Sequence, residues 1–497
     1  MSLIKVTNLT FAYDGSYDNI FEHVSLQIDT NWKLGFTGRN GRGKTTFLNL
    51  LLGKYEYSGT ISSNVSFEYF PFHVEHKENY TFDVVADIYP DYEHWQLMRE
   101  FSLLKLSEDV LYRPFDSLSN GEQTKVMLAV LFLKENSFLL IDEPTNHLDL
   151  HARKLVSDYL NGKSGFILVS HDRAFLDNCV DHILSINKTN IEIQNGNFSD
   201  WWENKQRQDN FERAENEKLR KDIKRLSEAA KRTSNWSHEV EKTKNGTRNS
   251  GSKVDKGYIG HKAAKMMKRS KSIEQRQQSA IEERSQLLRN VDSSESLKIS
   301  QMIYHKHQLV ELDRISIHYG EKNVCRDISF TVEQGDRIVL SGPNGSGKSS
   351  LLKLICGEEI PYSGVFRKGS QMKISYVSQD TSELRGNLSE FARSSGIDES
   401  LFKAILRKLD FSRLQFEKDI ASFSGGQKKK VLIAKSLCER AHLHVWDEPL
   451  NFIDVISRMQ IEELLLEHSP TILFVEHDSE FCRHIATKIV ELKVNTL

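Results

Sequence analysis

The stretch GRNGRGKTT at Gly38–Thr46 returns as GPNGSGKSS at Gly342–Ser350, and these residues are the best equipped for chemistry in the chain. Each copy fits G-x-x-x-x-G-K-[ST]. In that pattern backbone N–H groups wrap phosphate oxygens, a lysine reaches the β- and γ-phosphates, and a hydroxyl holds Mg²⁺. The spacing assigns nucleotide contacts to Gly38, Asn40, Gly41, Gly43, Lys44, Thr45 and Thr46 in the first copy. In the second it assigns them to Gly342, Asn344, Gly345, Gly347, Lys348, Ser349 and Ser350. Two matches in matching contexts predict two sites for a nucleoside triphosphate.

Each loop is followed by an apolar run ending in two acids, LLIDE with Asp142 and Glu143 and VWDE with Asp447 and Glu448. An acid at a strand end can hold the metal of a bound nucleotide, and the next can polarise an attacking water. A lone Asp-Glu pair is as often structural. Its place downstream of a phosphate loop, in both halves, favours chemistry.

The elements that position these groups repeat as well. Lys44 and Lys348 are offset by 304 residues, Asp142 and Asp447 by 305, and His171 and His477 by 306. So slow a drift means two collinear domains. Their apolar runs, such as SFLLIDE, HLHVWDE, GFILVSH and TILFVEH, lack alternation and read as parallel strands buried on both faces. The expected fold is α/β, two tandem P-loop nucleotide-binding domains at 1–203 and 301–497, joined by an antiparallel α-helical hairpin over 204–300.

The linker carries that expectation in its spacing. Leu219, Ile223, Leu226, Ala230 and Thr233 mark one helix, and Met266 through Val291 a second on the same 4-3-4-3 rhythm. Charge separates linker from bodies. Residues 205–290 hold 23 basic and 12 acidic side chains, leaving 44 against 57 elsewhere, although the whole chain is nearly neutral at −2. The stretch 242–271 has ten basic residues and one acid, Asp255. A solvated loop is the plain reading of such a run. Its place at the end of a helical hairpin, with Gly251, Gly257 and Gly260 permitting tight turns, favours a nucleic-acid backbone, where each cation neutralises a phosphate. The tip is expected at about 242–265.

Five cysteines, odd in number and never in C-x-x-C, suggest neither a disulfide framework nor zinc. The N-terminus has no apolar signal core and no run approaches 18 apolar residues, so a soluble cytoplasmic protein is expected.

Ser119-Asn120-Gly121-Glu122-Gln123 and Ser424-Gly425-Gly426-Gln427, just upstream of the acidic strands, resemble the signature sequence of ABC ATPases. With His171 in SHDRAFLD and His477 in EHDSEF, every main element of that family is present in order, twice. The resemblance implies that Glu143 and Glu448 are catalytic with the switch histidines His171 and His477. It implies that Thr45, Asp142, Ser349, Gln379 and Asp447 hold the metal. It also implies that Tyr13 and Tyr319, 31 and 29 residues before their lysines, stack on adenine; a core tyrosine is the competing reading. In this family the halves close head-to-tail. Site one would then set its phosphate loop against Ser424, Gly425 and Gly426, and site two against Ser119 and Gly121. The chain departs from the family at Phe72, which stands where Gln379 stands in the second half, and at Asn120 in place of a glycine. Unequal sites are expected.

Within the family the chain is similar to the ABC-F group, two nucleotide domains joined by a charged helical linker. A transporter ATPase and a DNA-maintenance ATPase fit less well, for want of membrane spans and of long intradomain insertions. DTNWKLGFTGRNGRGKTT, KAAKMMKRSK and WDEPLNFID resemble its antibiotic-resistance, ribosome-protection branch, the Lsa and Vga proteins. The 47 residues between Phe72 and Ser119 leave no room for a long arm, and His477 lies 20 residues from the end, so no C-terminal extension is expected. The resemblance implies a monomer that closes around ATP and Mg²⁺ and enters the ribosomal exit site, touching large-subunit rRNA and P-site tRNA. It would thereby free the peptidyl-transferase centre of lincosamides, streptogramin A or pleuromutilins. Lys253, Val254, Lys256 and Tyr258 form the expected tip. Val254 is smaller than the bulky tip residues of relatives, which favours an indirect effect through RNA; packing of the loop itself is the competing role. A translation factor that rescues stalled ribosomes without a drug role is the alternative function.

Overall fold

The computed structural model describes residues 2–14, 19–146, 148–187, 190–243, 302–320 and 322–492, together with Lys265, Lys268 and Gln275. Residues 1–201 and 296–497 form one compact unit and 202–295 another.

The first unit holds two copies of one architecture. In the first copy a six-stranded sheet runs Ser66–Phe70, Ser137–Asp142, Phe166–Val169, Lys33–Thr37, His182–Asn187 and Asn190–Asn195, parallel except for its last strand. In the second, Ile374–Val377, Leu443–Asp447, Ile472–Val475, Arg337–Ser341 and Lys488–Glu491 are all parallel. The strands are short and apolar, and Phe138, Ile141, Phe166, Leu168, Val445, Trp446 and Phe474 are fully or almost fully buried. Covering both faces of such a sheet is what makes a non-alternating sequence stable as a parallel strand. Each copy adds a three-stranded antiparallel sheet, centred on Leu3–Phe11 or on Gln308–Tyr319.

The parallel order places the chemistry. Both acidic strands and both phosphate-loop strands lie inside the sheet and deliver their loops to one edge, where ligands of open α/β sheets bind. The register pairs Asp142 with Val169 and Asp447 with Val475, so each acid lies beside the strand that leads to His171 or His477.

The helix beginning the linker spans Phe198–Thr243, 46 residues and about 70 Å. It starts well before the apolar spacing does. Asn197 and Asp200 cap each other reciprocally, at 2.9 and 3.2 Å, and Ser199 is bound to Asp177 at 2.6 Å, so its start is pinned by polar contacts invisible to periodicity. The pairs Glu203–Arg207 and Lys205–Asp209 line it at i,i+4 spacing. Lys265, Lys268 and Gln275 are helical. The expected tip residues Lys253, Val254, Lys256 and Tyr258, and the rest of the second linker helix, lie outside the described residues. Among the described residues no helix is long and apolar enough to cross a membrane.

Candidate functional site

Each phosphate loop joins a buried strand to a helix, Lys44–Leu51 or Lys348–Cys356, and glycine is required at the junction. Gly43 and Gly347 have φ of 95° and 86°, and a Cβ there would fall 2.6 Å from Ile20 Cγ2 or 2.8 Å from Val324 Cγ1. The following lysines are buried. Lys44 Nζ donates to the Gly38 and Arg39 carbonyls at 2.7 and 3.3 Å, and Lys348 Nζ to those of Gly342 and Pro343 at 2.8 and 2.9 Å. Burial lowers the proton affinity of both, opposed at Lys44 by Asp454, Glu143 and Asp142 and at Lys348 by Glu448, Asp149 and Asp447.

Thr45 Oγ1 donates to Asp142 Oδ2 and Ser349 Oγ to Asp447 Oδ1, each at 3.1 Å. This hydroxyl–carboxylate pair, formed twice beside a buried loop lysine, is an oxygen-only donor set of the kind that fits a hard cation such as Mg²⁺. No cluster of three or more His, Cys, Asp or Glu that could hold a metal occurs among the described residues. The next acids, Glu143 and Glu448, sit at φ 51° and 46°, in the left-handed region that costs a non-glycine residue roughly 1–3 kcal/mol. Both are held there by backbone bonds, Glu143 N to Val169 O at 2.9 Å and Glu448 N to Val475 O at 3.1 Å. Each carboxylate lies beside a histidine of its own half. His171 Nε2 stands 3.3 Å from Glu143 Oε1, and His477 Nε2 stands 3.4 Å from Glu448 Oε1.

Beyond this shared plan the two acids differ. Gln379 Nε2 and Asn451 Nδ2 donate to Glu448 Oε2 at 2.8 and 2.7 Å. Burial works to raise Glu448, but His477, Asn451 and Lys348 outweigh it and hold the carboxyl below its usual range. Around Glu143 neither amide bond is made: Asn146 stands at the position of Asn451 but its side chain does not bond the carboxylate, and Phe72 replaces the glutamine, its ring under Lys134 Nζ at 5.0 Å and outside the cavity lining. Glu143 Oε1 is buried without a hydrogen-bond partner. Burial, then the charge of Asp142, pushes the group up to about 8. In the first half Tyr69 Oη instead donates to Asp142 Oδ2 at 3.0 Å.

Tyr13 and Tyr319 are 43% and 47% exposed, so neither is a core residue. Tyr13 lines the first cavity, its hydroxyl 2.8 Å from Thr46 Oγ1; Tyr319 Oη donates to Ser350 Oγ at 3.3 Å.

The two signature segments begin helices, Asn120–Leu131 and Gly425–Cys438, with Ser119 and Ser424 as N-caps in reciprocal boxes with Glu122 and Gln427. Both segments face the opposite half. A cavity of about 770 Å³ is lined on one side by Gly345, Lys348, Ser349, Gln379, Glu448 and His477 and on the other by Ser119, Asn120, Gly121 and Arg153. The cavity at the first loop, about 330 Å³, is lined by first-half residues alone, among them Lys44, Asp142, Glu143 and His171. There the second signature touches the loop rather than the cavity. A Cβ on Gly426 would collide with the Phe452 carbonyl and lie 3.1 Å from Asn40 Nδ2, while Asn40 Nδ2 itself donates to that carbonyl at 2.6 Å. Arg39 and Arg42 reach Asp410 at 3.0 and 3.7 Å. These bonds draw the second half onto the loop, which accounts for the one-sided lining; Ser424 and Gly425 do not line that cavity.

Sequence reasoning missed Asn451, Asp410, Tyr69 and Arg153. For Arg153 a signal existed: it precedes Arg458 by 305 residues, the same offset as the acids. Asp410 carried none, because its partners lie some 370 residues away in the chain.

Known proteins place this geometry. The chain is 28% identical over 489 residues to the ribosome protection protein VmlR of Bacillus subtilis (strain 168), covering 96% of this chain and 84% of that one. It is 26% identical over 520 residues to the ATP-binding protein Uup of Buchnera aphidicola, covering 98% and 80%. Among solved structures, RNase-L Inhibitor superposes with a TM-score of 0.64 at 18% identity, covering 98% of this chain and 87% of that one, a likeness of fold. The family model described as ABC transporter matches residues 21–146 and 325–451, just over half the chain and both phosphate loops through both acid pairs. The duplicated loops and acid pairs therefore lie in the two tandem nucleotide-binding domains of an ATPase, and the chain belongs to the ABC transporter ATP-binding family.

Proposed function

We propose that this ATPase is an ABC-F protein that acts on the bacterial ribosome. The observation that carries the reading is the near-complete, end-to-end likeness to a ribosome protection protein, linker included. The long charged helix leaving the first domain and the basic run at 242–271 supply what an RNA-facing device needs, while the acidic bodies do not favour RNA.

In this reading the two halves close around bound ATP, and hydrolysis releases them. Lys44 and Lys348 neutralise phosphate charge. Thr45 with Asp142, and Ser349 with Asp447 and Gln379, hold the metal, which supplies charge neutralisation at the leaving phosphate. Ser119 and Gly121 present helix N-terminal amides to the nucleotide held by the second loop, across the larger cavity. Ser424, Gly425 and Gly426 do so at the first loop when it is loaded. Tyr13 and Tyr319 stack on the base. Glu448, oriented by two amides and His477, is the better-placed base for water; Glu143 with His171 lacks that support.

The finer reading is entry into the exit site in the cytoplasm, with residues 242–265, Lys253, Val254, Lys256 and Tyr258 among them, directed at rRNA and P-site tRNA. The outcome is release of lincosamide, streptogramin A or pleuromutilin drugs. The test is co-sedimentation of a Glu143→Gln/Glu448→Gln variant with Gram-positive ribosomes, with ATP and with or without lincomycin. ATP-dependent, salt-sensitive pelleting with loss of drug is the expected result. Pelleting with drug retained would replace drug release by rescue of stalled ribosomes, and no pelleting would overturn the ribosomal reading.

A further inference from the structure

One arginine touches both switch regions. Arg153 lies in the first turn of the helix Leu150–Asn161, which follows the first acid pair and is capped by Asp149, whose side chain accepts from Ala152 N at 2.8 Å. Its Nε donates to the Leu148 carbonyl at 3.0 Å, which fixes the direction of the guanidinium. One of its terminal nitrogens then donates twice. It reaches Asp172 Oδ2 of its own half at 3.1 Å and the backbone carbonyl of His477 in the other half at 3.1 Å. Asp172 directly follows His171, the switch of the first site. His477 is the switch of the second. The side chain is only 12% exposed and also lines the larger cavity.

We propose that Arg153 is a positioning residue that couples the two ATP sites, its guanidinium bridging the switch segment of each half. The physical argument is one of donor count. A guanidinium has five N–H donors in a rigid fork, and here that fork is committed to three acceptors set by two different domains. Movement of His477 with the nucleotide in the second cavity must either stretch the bond to Arg153 or carry the guanidinium with it. The second course pulls on Asp172, which also caps the helix Arg173–Cys179 through Phe175 N at 3.1 Å. The linkage is reciprocal, as any coupling of two binding sites must be. Arg458 repeats the in-half bonds, to Ile453 O at 2.9 Å and Asp478 Oδ2 at 3.0 Å, so the device is built on a duplicated scaffold. The crossing bond to a switch carbonyl is what Arg153 adds.

The inference rests on the two-site ATPase and on no ribosomal role. Its test is a double-mutant cycle on the full chain, reading kcat/KM for ATP. Lys44→Ala disables the first phosphate loop. In the otherwise unaltered chain it is expected to change the turnover remaining at the second site by about fivefold or more. With Arg153→Gln present the same substitution is expected to change it by less than about twofold, and Arg153→Lys, keeping charge but one donor group, to fall between. Should Arg153→Gln fail to fold, Asp172→Asn cuts the same bridge at its other end and takes its place. An equal effect of Lys44→Ala in every background, whatever happens to the melting temperature, would show a merely structural arginine and overturn the proposal. No effect of Lys44→Ala on the unaltered chain would show that the first site does not act on the second, and would overturn the proposal as well.

Discussion

At the scale of single residues the two halves share backbone and differ in side chains. Glu143 and Glu448 occupy the same strained φ beside the same histidine, yet only Glu448 receives amide donors from Gln379 and Asn451. A carboxylate fixed by hydrogen bonds and ionised is the better general base, and such groups contribute roughly 10²–10⁴ in rate. Glu448→Gln is therefore expected to lower phosphate release at least about tenfold more than Glu143→Gln, measured under saturating ATP. Equal losses would refute unequal sites. A second residue-scale expectation concerns Lys430 and Asp454, buried at 3.0 Å from each other. Burial works to raise Asp454, but Lys430 first, then the Ser457 N–H, hold it well below the usual carboxylate range. A carboxyl depressed on folding lends stability that is full above its unfolded value near 4 and fades as pH falls below it. Lys430→Met should cost about 3–5 kcal/mol at pH 7 by leaving a buried charge unpaired, and flatten the stability profile between about pH 5 and 3 in denaturant titrations. An unchanged slope would show that Lys430 does not set Asp454.

At the scale of elements, the signature helices and the loop contacts decide how the halves meet. Ser119→Ala removes the hydroxyl arm of the box with Glu122 and leaves the backbone N–H arm, a loss of about 1 kcal/mol, and weakens ATP affinity at the larger cavity because the capped helix start faces it. Calorimetric melting and ATP titration read the two effects separately; lost stability with unchanged affinity would show that the helix start does not face nucleotide. The first loop is tied to the second half by Arg39, Asn40 and Arg42, whereas the corresponding second-half positions are Pro343, Asn344 and Ser346, with neither arginine matched. Asp410→Lys, which sets a cation against two arginines, is expected to favour the open form and raise KM for ATP several-fold, with scattering of the Glu143→Gln/Glu448→Gln background reporting a larger particle. A KM within about twofold of the unaltered chain would remove Asp410 from the closure, since exposed pairs contribute only about 0–1 kcal/mol.

At the scale of the whole molecule the duplicated fold makes an interface that is only roughly symmetric. Arg173 of the first half and Glu462 of the second form a buried ion pair, while the duplicated positions are Ser479 and Ser157. Breaking a buried pair from one side strands a charge, whereas replacing both partners by apolar groups is close to neutral. Arg173→Met or Glu462→Leu alone should lower the unfolding midpoint markedly, and the double variant should recover most of it. Additive losses would show that the pair is not one unit. The surplus of positive charge lies in the linker and the deficit in the two bodies, so ribosome pelleting is expected to weaken steeply between about 50 and 200 mM salt while ATP turnover changes little.

How much of this was legible beforehand follows from the range of each interaction. The phosphate loops, the acids at strand ends, the switch histidines and the parallel sheets are local or repeated at a constant offset, and the chain states them within a few residues or twice over. Periodicity also marked the first linker helix, but not its start at Phe198, because Asn197, Asp200 and Asp177 secure that end through side-chain bonds. The signature segments could be found in the sequence, and the family resemblance implied that Ser119 and Gly121 would meet Lys348 across the halves; that the cavity at the first loop is lined by first-half residues alone could not be read there. Nor could the bridge from Arg153 to His477, the tie of Arg39 to Asp410, or the buried Glu143 oxygen that accepts no hydrogen bond. Those depend on where two collinear domains settle against each other, and burial of paired charges between residues hundreds of positions apart is decided only by tertiary packing.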